Sequence, residues 1–450
     1  MLRLSGGQVE TLFDLGLPVE VAELPADLAG LDRLLEGTAL LEPIARAWDP
    51  LAALRGRPTI PMDRFVRLML IKQRSGWGYK TLVREVSDSL HLRRFCRIPL
   101  AERVPDESTI RKLVRRIGPE VIEEICRELI ATASTGPRRP HRLDGGRGRR
   151  ALPHRPRPGR RATRALARQG ARVAHLAGAG AAGVVDRSRA VRLRLRMLSR
   201  TLARRTGEGS AVALQLTGEG GAIVERSIAE SRRLVEALRA RARGRGARAK
   251  LAAAARLEQI TGRAATVAEQ IRQRVAGQRI SDRLISLADP DARPIRKGKL
   301  RAPTEFGYVV QLAELTESTR RGARGLILPA ATKIGAAAES DLLPATAADI
   351  HRLGLSPAEV ALDGGFFPNG VAEHLPGLQR TFIAGRHSAG SARTIRRLAR
   401  YRVGIEGRIS HLKRRYELRR SRLRGHAGCR TWVAWAVLAY SLDTLAIRGA

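Results

Sequence analysis

Apolar positions recur at helical spacing from about residue 61 onward. Phe65, Leu68, Met69 and Lys72 fall on one track, and Leu82, Val83, Val86 and Leu90 fall on the next. The clearest helix opens at Pro105-Asp106 with an N-cap residue, carries the stripe Ile110, Leu113, Val114 and Ile117, and closes at Gly118-Pro119. Its other face holds Arg111, Lys112, Arg115 and Arg116. Short helices ending in a basic amphipathic one fit a helix-turn-helix element that lays its cationic face on DNA. A bundle helix with a solvated charged face fits the same periodicity, and the pattern alone does not choose. Residues 1–60 are weakly patterned and read as a helical lead-in.

The pattern stops at residues 134–161. STGPRRPHRLDGGRGRRALPHRPRPGRR has almost no apolar residues and a dense run of Arg, Gly and Pro, so no packed element is expected from it. From Asp186 to about Arg283 the spacing is helical again, with breaks at Gly207, Gly218–Gly221 and Gly244–Gly246, which predicts a helical insertion of three or four helices. After Pro294 the pattern turns strand-like, in FGYVVQLAEL from Phe306 and in the run Gly325–Leu328. A helix is expected over Ala345–Leu353. The final stretch from residue 428 predicts a buried helix in which Trp432, Trp435 and Tyr440 are core, since Asp443 interrupts any membrane-length run.

The domains expected are therefore 1–60, a helical lead-in; 61–130, a helical DNA-binding domain; 131–185, the Arg-Pro-Gly segment; 186–293, a helical insertion; 294–427, a mixed α/β (α+β) domain; and 428–450, a terminal helix.

Charge narrows the partners. The formal net charge is +40, and only 8 of the 83 basic residues are lysine. A polyanion is the expected partner, and arginine's planar fork suits phosphate better than a point charge does. Three widely spaced cysteines, Cys96, Cys126 and Cys429, supply neither a disulfide framework nor a zinc spacing, so a reducing, cytoplasmic and nucleoid-associated setting is expected. The opening residues lack the charge and apolar pattern of a signal peptide.

Two carboxylates stand out as candidate chemistry. Glu359-Val360-Ala361-Leu362 reads as a short buried strand ending in Asp363-Gly364-Gly365, which puts an acid at a strand's C-terminal edge. An Asp-Gly turn is the plain alternative. Glu406 lies in an almost wholly cationic stretch, and on a helix Arg402, Glu406, Ser410 and Lys413 share one face. That arrangement suits either an ordinary i, i+4 ion pair or a metal-binding acid beside phosphate-holding cations.

Arg402, Glu406 and Lys413, at that spacing, resemble the R-E-K portion of the signature that closes the catalytic domain of bacterial insertion-sequence transposases of the DDE class. LDGGF around Asp363 resembles their second acidic motif. WGYKTLVREVSDSLHLRRFCRIPL with VPDESTIRKLVRRIG resembles their InsH-like N-terminal helical domain, and RKGKLRAPTEFGYVVQLAE resembles the strand pair after the first catalytic strand. The resemblance covers roughly residues 60–130 and 290–447. It implies an RNase H-like fold in which three carboxylates hold two Mg²⁺ or Mn²⁺ ions, with Asp363 the second ligand and Glu406 the third. It also implies that Arg402 and Lys413 hold phosphates, that double-stranded DNA (terminal inverted repeats and target) is the partner, and that the protein works as a homodimer or larger.

The sequence departs from that family twice. Ala399 stands where a tyrosine is usual, and the strand bearing the first catalytic Asp, in a segment like DSTVVEADxRYPTD, should lie shortly after residue 130, where the Arg/Pro run is. One permitted back-translation of residues 141–161, read from its second base, gives TDSTVVEADVRYPTDPGLAG. Residues from about 133 to 162 thus read as an out-of-frame stretch between two compensating indels. The leading expectation is a transposase whose printed chain lacks one metal ligand. A catalytically silent DNA-binding inhibitor of transposition stands beside it. An RNA-binding or ribosomal protein, suggested by charge alone, gives Asp363 and Glu406 no role.

Overall fold

The computed structural model describes residues 1–6, 16–37, 39–48, 58–133, 142–149, 158–178, 183–203, 207–244, 246–296, 304–316, 324–335 and 337–449. The protein is α+β and forms two compact units, one of Met1–Leu152 with Tyr308–Ala450 and one of Pro153–Gly307.

The first unit begins with helices α1 (Ala26–Leu34), α2 (Glu42–Ala47), α3 (Met62–Ser75), α4 (Tyr79–Asp88), α5 (Leu90–Phe95) and α6 (Glu107–Ala133). Asp106 caps α6 as its spacing predicts, its carboxylate accepting from the Ser108 amide at 2.7 Å. Gly118-Pro119 closes the first helical stretch as the sequence suggests: Gly118 adopts φ 74°, which breaks the helical path, and a second helical stretch follows at once, so α6 is two helices joined at a kink.

α3 is buried from Met62 to Gln73, charged residues included. A helix buried all round tolerates charge only where each charge finds a partner. Arg67 pairs with Asp32 and donates to the Phe95 carbonyl at 3.0 Å. Arg64 pairs with Glu102 and donates to the Arg97 carbonyl at 2.8 Å. Lys72 lies 4.3 Å from the Trp432 ring centre and 3.8 Å from Glu417.

The strands of this unit are β1 (Arg142–Arg149), then, beyond the second unit, β4 (Val309–Thr316), β5 (Leu326–Ile327), β6 (Ala331–Lys333), β7 (Glu359–Leu362) and β8 (Arg380–Ile383). They build a six-stranded sheet of order β5-β4-β1-β7-β8, with β6 pairing to β4. β1 runs antiparallel to β4, with Asp144 opposite Glu314, and parallel to β7, with Asp144 opposite Ala361. β7 and β8 are parallel. This corrects the expectation that 134–161 forms no packed element: residues 142–149 are the central strand, and a helix starts at Pro158. The remainder of 134–161 lies outside the described residues.

The second unit holds α7 (Pro158–Val173), α8 (Ser188–Ala203), α9 (Gly207–Ala240) and α10 (Ala247–Val275), followed by the antiparallel pair β2 (Arg293–Arg296) and β3 (Thr304–Gly307). Leu166, Val224, Leu238, Leu257 and Val267 are in its core. The unit begins well before residue 186, because α7 contributes Ala162, Leu166 and Val173 to the same core.

The chain returns to the first unit for α11 (Leu343–Arg352), α12 (Pro368–His374), α13 (Ala392–Arg415) and α14 (Gly425–Arg448). α13 packs on β1 and β7, and α14 packs against α6, α1 and α3. Trp432, Trp435 and Tyr440 are buried, and Trp435 meets Phe65 edge-on at 5.8 Å, so the terminal aromatics are core. Asp443 is satisfied there by the Tyr416 hydroxyl at 2.6 Å and by Arg74 at 3.1 Å. Among the described residues, no helix is long and apolar enough to cross a membrane.

Burial pulls the Lys72 ammonium from its ordinary 10.5 down to about 8, outweighing Glu417, which favours the charge. Between those two pH values the unfolded chain holds a proton that the folded chain has released, so this group's contribution to stability rises with pH across the window. At pH 7 its penalty is at full size. Lys72→Met should therefore be more stable than the parent at pH 7 by on the order of 2 kcal/mol. In urea unfolding that advantage should shrink steadily from about pH 8 to 10, and a constant advantage would refute the assignment.

Candidate active site

β7 ends at Leu362, and Asp363 follows where the strand opens onto the sheet's edge. Its Oδ1 accepts from the Gly364 amide at 3.0 Å. The two glycines have steric reasons. A Cβ at Gly364 would lie 2.9 Å from the Ala384 carbonyl, and one at Gly365 would collide with the Glu339 carboxylate.

α13 is capped by Ser391, whose Oγ accepts from the Thr394 amide at 3.3 Å. Leu398, Ile405, Ile409 and Leu412 form its buried stripe. Arg402 stands beside that stripe and brings the two predicted acids together. Its Nη2 donates to Asp363 Oδ1 at 2.7 Å and to Glu406 Oε1 at 3.0 Å. Asp363 is partly exposed, and Glu406 is open to solvent. Lys413 lies about two turns further along α13 and is half-buried.

Two further acids, not singled out in the sequence, lie on the same sheet. Glu359, at the start of β7 and 2% exposed, accepts from Arg397 at 2.7 and 2.9 Å and from Arg380 at 2.8 Å. The hydrogen bond to Glu359 raises the Arg397 pKa above its ordinary value. Glu314, on β4 and also 2% exposed, accepts from Arg408 at 3.0 Å and from the Gly325 amide at 2.6 Å. Arg397, Arg402 and Arg408 of α13 thus hold three acids, Glu359, Asp363 and Glu314, at different strands and positions of the sheet. The sequence signal for Glu314 is a lone acid inside the apolar run VVQLAEL.

Asp144 belongs to the strand between β4 and β7, two residues back in register from the position beside Asp363. Among the described residues, no group of three or more His, Cys, Asp or Glu side chains is placed to hold a metal ion. The sequence reading of two metal-holding acids therefore meets a structure in which Asp363 and Glu406 are neighbours sharing an arginine.

The six basic residues predicted to contact DNA divide into two groups: Arg402 and Lys413 on α13, and Arg111, Lys112, Arg115 and Arg116, all four exposed on the first half of α6. Arg116 stacks over Trp48, 3.7 Å from its ring centre, and so also has a packing role. Arg111 pairs with Glu107 at 3.1 Å and lies 5.3 Å from the Tyr79 ring centre. Arg115, one turn on, lines a cleft with Arg111 and Tyr79, and Lys112 is not among that cleft's lining residues.

A family model described as a transposase domain (DUF772) matches residues 23–116, which span α1 to α5 and the first turns of α6. The match supports a transposase role and includes Arg111, Lys112, Arg115 and Arg116. No curated protein and no solved structure matches the chain.

Removing one partner of a buried ion pair strands the other charge, at a cost of about 3–5 kcal/mol. Arg408→Ala should lose stability of that order in urea unfolding, because among the described residues Glu314 then keeps the Gly325 amide alone. Pairing it with Glu314→Gln should restore most of the loss, whereas an additive double variant would show that the pair does not hold α13 to the sheet.

Proposed function

We propose that the chain is a DNA transposase of the DDE class by descent, with an RNase H-like sheet whose acids hold divalent cations for strand cleavage and transfer. The observation that carries the reading is the Asp363–Arg402–Glu406 cluster, in which a cationic group already sits between two acids that the sequence spaces as a metal-binding pair. The transposase-domain match over residues 23–116 supports it independently. So does the topology: a central strand antiparallel to one neighbour and parallel to the other, with a long helix across its face.

The residues fit such a centre in kind. Carboxylate oxygens are the hard donors that Mg²⁺ and Mn²⁺ prefer. Arg402 Nε is buried without a hydrogen-bond partner among the described residues, so this guanidinium is not locked on every side. Asp363 and Glu406 would hold the ions together with the acid that the hidden frame would place on β1. When bound, a pair of divalent ions activates a water or 3′-hydroxyl and stabilises the leaving 3′-oxygen. With metal on the two carboxylates, Arg402 would be free to pair with a phosphate, and Lys413 would supply a second cation further along α13.

β1 sets the limit on activity. A central strand flanked by the fully buried β4 and β7 calls for β-branched apolar residues, and RLDGGRGR offers three glycines and three arginines. The hidden frame spells DSTVVEAD over the same eight codons. We read β1 as the right strand carrying out-of-frame text, and this copy as able to bind DNA but deprived of its first acid. A second reading, a catalytically silent DNA-binding inhibitor of transposition, is favoured by that same strand, whose only acid is Asp144.

The test uses a duplex carrying the element's terminal inverted repeat, with Mg²⁺ or Mn²⁺. The chain as printed should shift the duplex on a gel without nicking it. The chain with the hidden frame written back across 133–162 should nick it, and Asp363→Ala or Glu406→Ala in that background should lower nicking by 10³-fold or so while leaving the shift unchanged. Nicking that survives both substitutions would overturn the proposed centre.

A further inference from the structure

A cleft of about 680 Å³ lies in the first unit between the start of α4, the first half of α6 and the segment leading into α14. Arg111, Arg115, Arg422 and Arg424 all line it, together with Tyr79 and Thr431. Only two of these arginines have a carboxylate: Arg111 has Glu107 at 3.1 Å, and Arg422 has Glu417 at 2.9 Å. Among the described residues, no carboxylate pairs with Arg115 or Arg424. The cleft is therefore left with a net positive charge of about two, its four guanidinium groups repelling one another across solvent.

The backbone is shaped for the same purpose. Gly78 borders the cleft, and a Cβ there would lie 3.1 Å from Arg422 Nη1, so glycine lets that guanidinium sit close to the chain. α14, 24 residues long, begins in the cleft wall, and its N-cap residue Arg424 makes no side-chain cap. Ala427 and Gly428 of its first turn line the cavity, which adds the positive end of a long helix to the arginines. Behind Tyr79 lies the Lys72 ammonium, 5.3 Å from its ring centre.

We propose that this cleft seats a phosphodiester of the DNA backbone, held by Arg115 and Arg424 with Arg111 and Arg422 beside them and the first turn of α14 beneath. The inference rests on the DNA-binding part of the function proposed above. It adds a site that joins the N-terminal helical region to the last helix. The four arginines are exposed at the mouth, which suits a strand passing over the protein. Arginine forks match two oxygens of one phosphate. A phosphate at this position would also explain why α14, otherwise a core helix, starts in a run of arginines, Arg419, Arg420, Arg422 and Arg424.

The full-length protein is titrated with a duplex of arbitrary sequence at several NaCl concentrations, and log Kd is plotted against log salt. Each backbone phosphate neutralised adds about 0.9 to the slope, so Arg115→Gln/Arg424→Gln, which empties this one-phosphate site, should lower it by about 0.9. Arg424→Lys, which keeps the charge, should retain the parent slope. Circular dichroism and melting temperature check that the variants stay folded, and Arg424→Gln alone should lower the slope by part of that amount. An unchanged slope in the folded double variant would overturn this site while leaving the proposed function standing. A parent protein that binds no DNA would overturn both. If inorganic phosphate raises the parent's melting temperature but not the double variant's, while the DNA slopes agree, the cleft takes free phosphate and the DNA assignment fails.

Discussion

The sheet of the first unit depends on the hydrogen bonds that β1 makes to both of its neighbours. β4, with β5 and β6, forms one half, and β7, with β8, forms the other; β1 alone joins them, antiparallel on one side and parallel on the other. Buried peptide groups must be paired, so without this strand the facing edges of β4 and β7 would each be left with unsatisfied groups. The position is fixed by its neighbours, whose residues are buried throughout, while the residues printed there are among the poorest strand formers in the chain. Local preference and global fold disagree at this strand.

α13 converts the sheet into a site. Its apolar stripe packs on the sheet, and three of its arginines reach down to acids on β7, on β4 and just past the end of β7. Two of those acids, Glu359 and Glu314, are buried, and their ion pairs fix the helix. The third, Asp363, is partly exposed, and its arginine is shared with Glu406. Burial thus separates the structural pairs from the one pair left within reach of solvent, which is where a metal or a phosphate can compete. The N-terminal helices are tied to the same body through α14, whose buried face meets α6, α1 and α3.

Much of this was legible in the sequence. The strand Glu359–Leu362 and the acid after it follow from a short apolar run ended by Asp-Gly-Gly. The shared face of Arg402 and Glu406 follows from helical spacing, and the burial of Trp432, Trp435 and Tyr440 from the apolar residues around them. β1 was not legible, because Gly and Arg at its positions carry no period-two signal; only its two neighbours specify it. Glu314 and Glu359 were missed because their partners lie 94 and 38 residues away, a separation that no local pattern encodes. The start of the second unit at α7 was hidden in the same Arg-rich stretch, where Leu166 and Val173 are sparse among cations.

The claim that β1 is the right strand with displaced text is tested most directly by the codon for Arg142 in the gene. Read one base on, its last two bases and the first base of the Leu143 codon spell Asp only when Arg142 is encoded by CGA or AGA. The account predicts one of these two codons, followed by a shifted frame that continues as Ser-Thr-Val-Val-Glu-Ala-Asp. Any of the other four arginine codons at that position would contradict it, and would leave RLDGGRGR as the strand's own sequence.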